Sequence, residues 1–427
     1  MESTVEKSGK HFRLGFSKSA YLVILMLISV NFFHFTPIAK FTDNDTSLVL
    51  FLGWIILGHF LYKPLNKWLS ISFRKEYWPM LVIWAGVIIS FLPSRSIYGQ
   101  SLVTSFITSR AMLSMLALPI LFVIQPSRRD IEKAAKWFSI ILLVFAILDA
   151  LNIPIIDRSF FIDEDRPKKL IDDDSFVMLL PGFHWVGISL FFCLDRLKKV
   201  FSARNLVSSV FFFAAVFLLQ NRSMLFICAV LFAYTFFTVK GKSSKQTAVI
   251  RYGTLLIVAL IIGATAPQWL KLFKETSSQL GNDDYNRLLA YNYFLFQACP
   301  GVIHYFTGTG LISAKTSSIM KDLMDAGIYN SDVGFVGLWN HYGILPILTI
   351  VAVAIKGLKK SSPLYLKFNA FFVLISGATI GCFNTPDKLL WLCVYIYLVF
   401  SARTAIVATS ERIPAKRDSS NAFIVEE

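Results

Sequence analysis

The residues best equipped for chemistry in this sequence are arginines. Arg287 closes the run Asp283-Asp284-Tyr285-Asn286-Arg287 and opens a stretch to Gln297 in which Leu288, Tyr291, Leu295 and Ala298 recur at helical spacing. Arg222 stands in Asn221-Arg222-Ser223, between two apolar runs. Arg110 falls inside another, about eight residues in. At roughly 1.5 Å per residue that is on the order of 12 Å from its end. A guanidinium is always charged and meets phosphate through two donors at once, so these three are candidate anion ligands. His304 and Asp332 flank the Gly308-Thr309-Gly310 turn and are the candidates to orient an acceptor hydroxyl or take its proton. No grouping of His, Cys, Asp or Glu has metal-ligand spacing, and no Gly-rich phosphate loop is present. The five cysteines lack paired spacing and read as small apolar packing residues.

The elements that must position these groups are apolar. Hydrophobic residues make up 55% of the 427, against about 45–50% for soluble domains. Phenylalanine occurs 40 times and the mean hydropathy is +0.59. Such a chain has too little polar surface to cover itself in water, so the bilayer is its expected solvent. A span needs roughly 20 apolar residues. Runs of that kind, some shorter, fall at 20–39, 47–62, 77–93, 102–124, 137–156, 176–194, 205–220, 223–239, 252–270, 333–355, 367–384 and 388–403. The pair around Arg222 reads either as one re-entrant hairpin or as two spans. The first run is long enough to remain as a helix, so no cleaved signal peptide is expected. The fold class is therefore all-α, a polytopic membrane protein of about twelve transmembrane helices forming one integral domain over 1–427.

The charges orient it. Lys7, Lys10, Arg13 and Lys18 precede the first span; Lys63, Lys67, Arg74 and Lys75 follow the second; Arg128, Arg129, Lys133 and Lys136 follow the fourth. The same side collects Arg196, Lys198, Lys199 and Arg204, then Lys240, Lys242, Lys245 and Arg251, then Lys356, Lys359, Lys360 and Lys367, then Arg403, Arg412, Lys416 and Arg417. The short opposite loops carry one basic residue each: Lys40, Arg95, Arg222 and Lys388. Basic residues concentrate in cytoplasmic loops, so both termini are expected in the cytoplasm. The net charge of +15 is then a topology signal and an attraction to anionic lipid, not a nucleic-acid footprint. Two longer segments lie outside, the acidic 157–175 and the long loop 271–332 with short helical pieces. The cytoplasmic loops are too short to hold a nucleotide site, so any chemistry belongs to the outer face. Asn340, His341 and His184 are polar at membrane depth and read as hydrogen-bonded packing residues. Asp283 or Asp284 is a helix cap, and Asp332 a cap for the span that follows.

The order Arg287, Pro300, Gly308-Thr309-Gly310, then a polar residue leading a helix with Gly343-Ile344, resembles the long periplasmic loop of Wzy-type O-antigen and exopolysaccharide polymerases. The turn Asn221-Arg222-Ser223 before a Leu/Phe-rich run looks like that family's short arginine motif. The resemblance covers about 215–350 and extends to the O-antigen ligases of the same superfamily. It implies a metal-independent membrane glycosyltransferase of the inner membrane with no cofactor. Such an enzyme takes a glycan from a polyprenyl pyrophosphate and passes it to a second lipid-linked repeat unit, or to lipid A-core in a ligase. A flippase and a chain-length regulator of the same pathway are the implied protein partners. Ser331-Asp332-Val333-Gly334 stands where ligases have a His-Asn-type start, which is closer to the polymerases, while His304 and His341 keep the ligase in view. Arg287, Arg222 and Arg110 would hold the pyrophosphate leaving group, and Asp332 or His304 would orient or deprotonate the acceptor hydroxyl. A flippase for the same lipid-linked oligosaccharide is the alternative from another class. It should spread polar groups over both leaflets and two comparable halves, and no internal repeat is found.

Overall fold

The computed structural model of the chain describes residues 17–38, 44–63, 74–151, 155–156, 180–219, 222–239, 286–313, 317–329, 333–379 and 385–411, with a few isolated positions between them. Every regular element among these residues is helical, apart from an isolated bridge between Phe35 and Ile156. In chain order the α-helices are α1 Lys18–Ser29, α2 Asn44–Tyr62, α3 Trp78–Tyr98, α4 Leu102–Thr108, α5 Ala117–Ile124, α6 Arg128–Ala150, α7 His184–Lys199 and α8 Ala203–Leu218. There follow α9 Arg222–Thr238, α10 Asn286–Asn292, α11 Val302–Thr307, α12 Ser318–Asp325, α13 Gly334–Tyr342, α14 Ile344–Gly357, α15 Leu364–Thr379 and α16 Pro386–Glu411. The acidic segment 157–175, Asp283, Asp284 and Asp332 lie outside the described residues, as does nearly all of the apolar run 252–270.

Two helices, Asp45–Tyr62 and Lys75–Tyr98, are long and apolar enough to cross a membrane. A third crossing arises if Leu102–Thr108 and Arg110–Ile124, bent by 60° at their junction, count as one span. Helices α1, α8, α9, α14 and α15 contain shorter apolar stretches. Large hydrophobics stand exposed along several of them, among them Val49, Ile88, Leu92, Val207 and Phe226 at more than 60% each. Contiguous apolar surface of this kind marks a membrane or partner interface, and with the spanning helices it makes the chain membrane-associated.

Three of the expected continuous spans are broken. The run 20–39 leaves the α-helix at Ser29 and passes into a 3₁₀ segment Asn31–His34 whose residues all have positive φ. The run 102–124 divides at Ser109 into α4, a 3₁₀ segment Arg110–Leu116 and α5. The run 333–355 divides at Gly343, which takes φ +74 between α13 and α14. Hydropathy is blind to these breaks because most residues on either side stay apolar. Around Arg222 the chain forms two helices packed on each other.

Side-chain contacts fix how the helices run. A Cβ on Gly187 would lie 3.1 Å from Met224 Cε, so α7 and α9 start together. They also finish together, since Lys198 Nζ donates to Thr238 Oγ1 at 3.1 Å. Tyr234 near the end of α9 meets Phe368 near the start of α15, with centroids 6.2 Å apart, so those two run oppositely. One end of the bundle gathers basic residues from five of the seven basic segments. There Lys18 donates to Gln125 O (3.0 Å), Arg74 lies over Phe122 and Lys356 lies over Trp78 and Phe400. Arg128, opening α6 behind a Ser127–Asp130 capping box, reaches Asp195 at 2.5 Å and lies 4.5 Å over the Tyr365 ring. Asp195 also takes Lys199, while Glu132 takes Lys136 and Arg196. Two buried carboxylates thus clamp four cations from α6 and α7, which fixes the two helices at this end.

Candidate functional site

At the opposite end the helix break at Gly343 and the Gly308-Thr309-Gly310 turn form one unit. A break leaves carbonyls without their helical partners, and such groups must be satisfied internally when buried. Here Thr309 N donates to Asn340 O at 2.7 Å and Gly310 N donates to His341 O at 2.9 Å. The Thr309 hydroxyl adds a bond to Asn340 O (3.1 Å), and His341 Nδ1 meets Gly310 O at 3.2 Å. The approach is close enough to require glycine on both sides. A Cβ on Gly308 would come within 2.4 Å of His341 O, and one on Gly343 within 2.1 Å of Phe306 O. Both have positive φ, the region glycine alone enters freely.

The turn is also seated on α3 and α4. A Cβ on Gly310 would lie 2.5 Å from Ser94 Cβ. Gln100 Nε2 donates to Leu311 O (3.0 Å) and to Ser105 Oγ (3.0 Å), and its Oε1 accepts from Ser313 N (3.0 Å). Asn340 and His341 are therefore consumed in holding the turn, in keeping with their reading as packing residues. Gln100 is a part of the site that sequence reasoning did not single out. A lone glutamine more than 200 residues from the loop it holds gives no local signal.

Arg287 lies on α10, which continues as a π-turn over Tyr293–Gln297, so the expected helix from Arg287 to Gln297 is present. The face it docks differs from the expected Leu288, Tyr291, Leu295 and Ala298: Ala290, Phe294 and Ala298 pack with Val333 at the head of α13, while Leu288 is exposed. Tyr291, one turn after Arg287, donates its hydroxyl to Ala378 O at the end of α15 (2.8 Å). Burial pushes the Tyr291 phenol up, and the Arg287 charge beside it pulls it back down. The Arg287 Nε is itself buried and has no hydrogen-bond partner.

The other candidates are placed differently. Arg110 sits at the break between α4 and the 3₁₀ segment. Its Nε donates to Asp45 Oδ1 at 2.6 Å, a second guanidinium nitrogen also meets that carboxylate, and Nη1 donates to Ile107 O at 2.8 Å. Asp45 opens α2, so Arg110 lies level with a helix start and its charge is already matched. Both partners are well exposed. Arg222 opens α9, and its side chain is outside the described residues, like Asp332. His304 lies on α11, which packs on α3, α13 and α14. Its Nδ1 is buried without a hydrogen-bond partner. The loop that carries it is tied to the end of the π-turn, because the Tyr305 hydroxyl donates to Leu295 O (3.0 Å) and Trp339 Nε1 donates to Tyr305 O. Arg287 and His304 thus belong to one docked segment, and Arg110 is engaged elsewhere.

Cys299, between the π-turn and α11, accepts from Asn340 Nδ2 at 3.6 Å. Burial raises its thiol above the ordinary range, offset in part by that bond. No group of three His, Cys, Asp or Glu side chains suited to a metal ion occurs among the described residues. No protein-family model matches the chain, and no curated protein is similar enough to it to count as a relative.

Proposed function

We propose that the chain is a polysaccharide repeat-unit polymerase of the inner membrane. It transfers a glycan from a polyprenyl pyrophosphate carrier to a second lipid-linked repeat unit on the outer face. In this reading the basic end of the bundle faces the cytoplasm with both termini, the chain crosses about twelve times, and the docked segment around Arg287 faces outward. The observation that carries the reading is the buried Arg287 Nε without a partner. An arginine held in place by the docking of its helix, with donor capacity unused, is prepared for an anion, and a pyrophosphate leaving group is the anion this chemistry needs. Arg222 opens a helix that starts on the same side, which supports it as a second ligand. The acceptor hydroxyl must lose a proton as its oxygen attacks the anomeric carbon and the bond to phosphate breaks. His304 and Asp332 are the candidates to receive it. The pathway's flippase and chain-length regulator are the expected protein partners.

The test is the glycan that accumulates in a strain lacking the protein. Single repeat units on the lipid acceptor support the polymerase. Long chains left on the polyprenyl carrier would transfer the reading to a ligase. Repeat units that never reach the outer face would transfer it to a flippase.

A further inference from the structure

The segment that carries the docked turn reaches from the end of the bundle down to the middle of a membrane-crossing helix. Helix α3 starts at the basic end, where Lys356 lies over Trp78, and finishes at Tyr98. With its leading 3₁₀ turn it is one of the two helices long and apolar enough to cross a membrane. Gly86 and Ser90 lie near its midpoint. A Cβ on Gly86 would lie 3.0 Å from Tyr342 O, and one on Gly310 would lie 2.9 Å from Ser90 O. Phe306 O in turn stands against Gly343, the residue after Tyr342. The last turn of α11, the helix break and the Gly310 turn are therefore level with residues 86–90. Ser90 is eight residues before Tyr98, on the order of 12 Å inside at about 1.5 Å per residue. A hydrocarbon layer about 30 Å thick has its midplane near that depth.

What the segment presents to its surroundings agrees with that depth. Helix α11 exposes Val302 at 76%, Ile303 at 66% and Phe306 at 62%. The helices it packs on, α3 and α14, expose Ile88, Leu92 and Leu348 in the same way, so its apolar surface continues that of a spanning helix. In hydrocarbon every backbone polar group must be satisfied internally, and irregular backbone is tolerated only where protein covers it. The segment divides along that line. Its exposed residues are helical, whereas Gly308, Thr309 and Gly310 are buried and donate their amides to His304 O, Asn340 O and His341 O. A loop in water needs no such division, because water would satisfy its backbone. We infer that α11 and the Gly308-Thr309-Gly310 turn form a re-entrant element. The chain dips into the membrane from the end opposite the basic residues, and Val302, Ile303 and Phe306 lie against the acyl chains of that leaflet. The middle of the segment 271–332, expected outside the membrane, is then inside it. The inference goes beyond the glycan-transfer reading and does not rest on it.

The test uses the full chain, its native cysteines replaced, in liposomes of phosphatidylcholine and phosphatidylglycerol. A nitroxide is attached through Val302→Cys, Ile303→Cys or Phe306→Cys, each variant first checked for wild-type elution and thermal midpoint. Power-saturation EPR compares collisions with oxygen, which enters hydrocarbon, and with a neutral nickel chelate, which stays in water. Oxygen is expected to exceed the chelate about threefold or more at all three positions, as at Ile88→Cys on α3. An excess of the chelate, as in water, or exclusion of both, as beneath a second copy of the chain, overturns the inference. Where the labelled variants fail to fold, the wild-type chain is cross-linked to a phosphatidylcholine carrying a mid-chain diazirine. Adducts on residues 302–306 are expected, and their absence while adducts form on α3 overturns the inference equally. Normal glycans in a strain lacking the protein would end the polymerase reading and leave this placement standing.

Discussion

Gly310 donates its amide to the His341 carbonyl at 2.9 Å, and His341 Nδ1 returns to the Gly310 carbonyl at 3.2 Å. This reciprocal pair joins a loop to a broken helix and fixes the imidazole as the Nδ1–H tautomer, since a carbonyl can only accept. It also explains why polar residues sit inside an apolar run. They close the backbone where the helix stops.

Replacing Gly343 with alanine should therefore disrupt the break. The Gly343 backbone at φ +74 and ψ −169 lies in a region nearly confined to glycine, which alone costs an alanine about 1–3 kcal/mol. The overlap with the Phe306 carbonyl adds to that, because a backbone atom cannot move aside cheaply. A clear drop in the thermal midpoint of the detergent-solubilised protein is expected, and an unchanged midpoint would rule out this docking.

The Asp195 clamp makes a prediction at the other end. Asp195→Ala removes the partner of Arg128 and Lys199 and should cost about 3 kcal/mol, the low end for a broken buried pair because both cations are partly exposed. Thermal unfolding of Asp195→Ala beside Lys199→Ala checks this, with only the aspartate variant strongly destabilised.

Arg110 should be dispensable for glycan transfer. Its partner Asp45 is exposed, and such pairs contribute about 0–1 kcal/mol. Arg110→Ala and Asp45→Ala are expected to give near-normal glycan length and nearly unchanged stability. Short glycans in Arg110→Ala alone would return it to the anion site.

Cys299 offers a pH readout. Its thiol is raised by burial, so the protonated form persists to higher pH than in an exposed cysteine and reactivity lags until the medium is well alkaline. In a variant whose other cysteines are replaced, maleimide labelling should rise with pH later than for a free thiol. Asn340→Ala should delay it further by removing the bond that stabilises the thiolate. Labelling at the rate of a free thiol at neutral pH would contradict the burial.

Much of this architecture was legible because charge and periodicity are local signals. The basic segments around Lys18, Arg128, Lys198 and Lys356 meet at one end, and the α10 helix forms where expected, although it docks through Ala290 and Phe294 and leaves Leu288 exposed. What could not be read depends on distant partners. The break at Gly343 is set by the Phe306 backbone, Arg110 is matched by Asp45 across 65 positions, and Gln100 serves a loop 211 residues away. The His184–Asp387 pair is likewise distant in the chain. None of these leaves a mark on hydropathy, because each concerns one polar atom in an apolar run.

The central claim is that Arg287 binds the pyrophosphate leaving group. It is tested most directly by glycan length in cells carrying Arg287→Ala or Arg287→Lys, with membrane expression matched by blot. The account expects single repeat units with alanine and partial recovery with lysine, which restores the charge without the two-donor fork. Normal long chains in both variants at normal expression would contradict it.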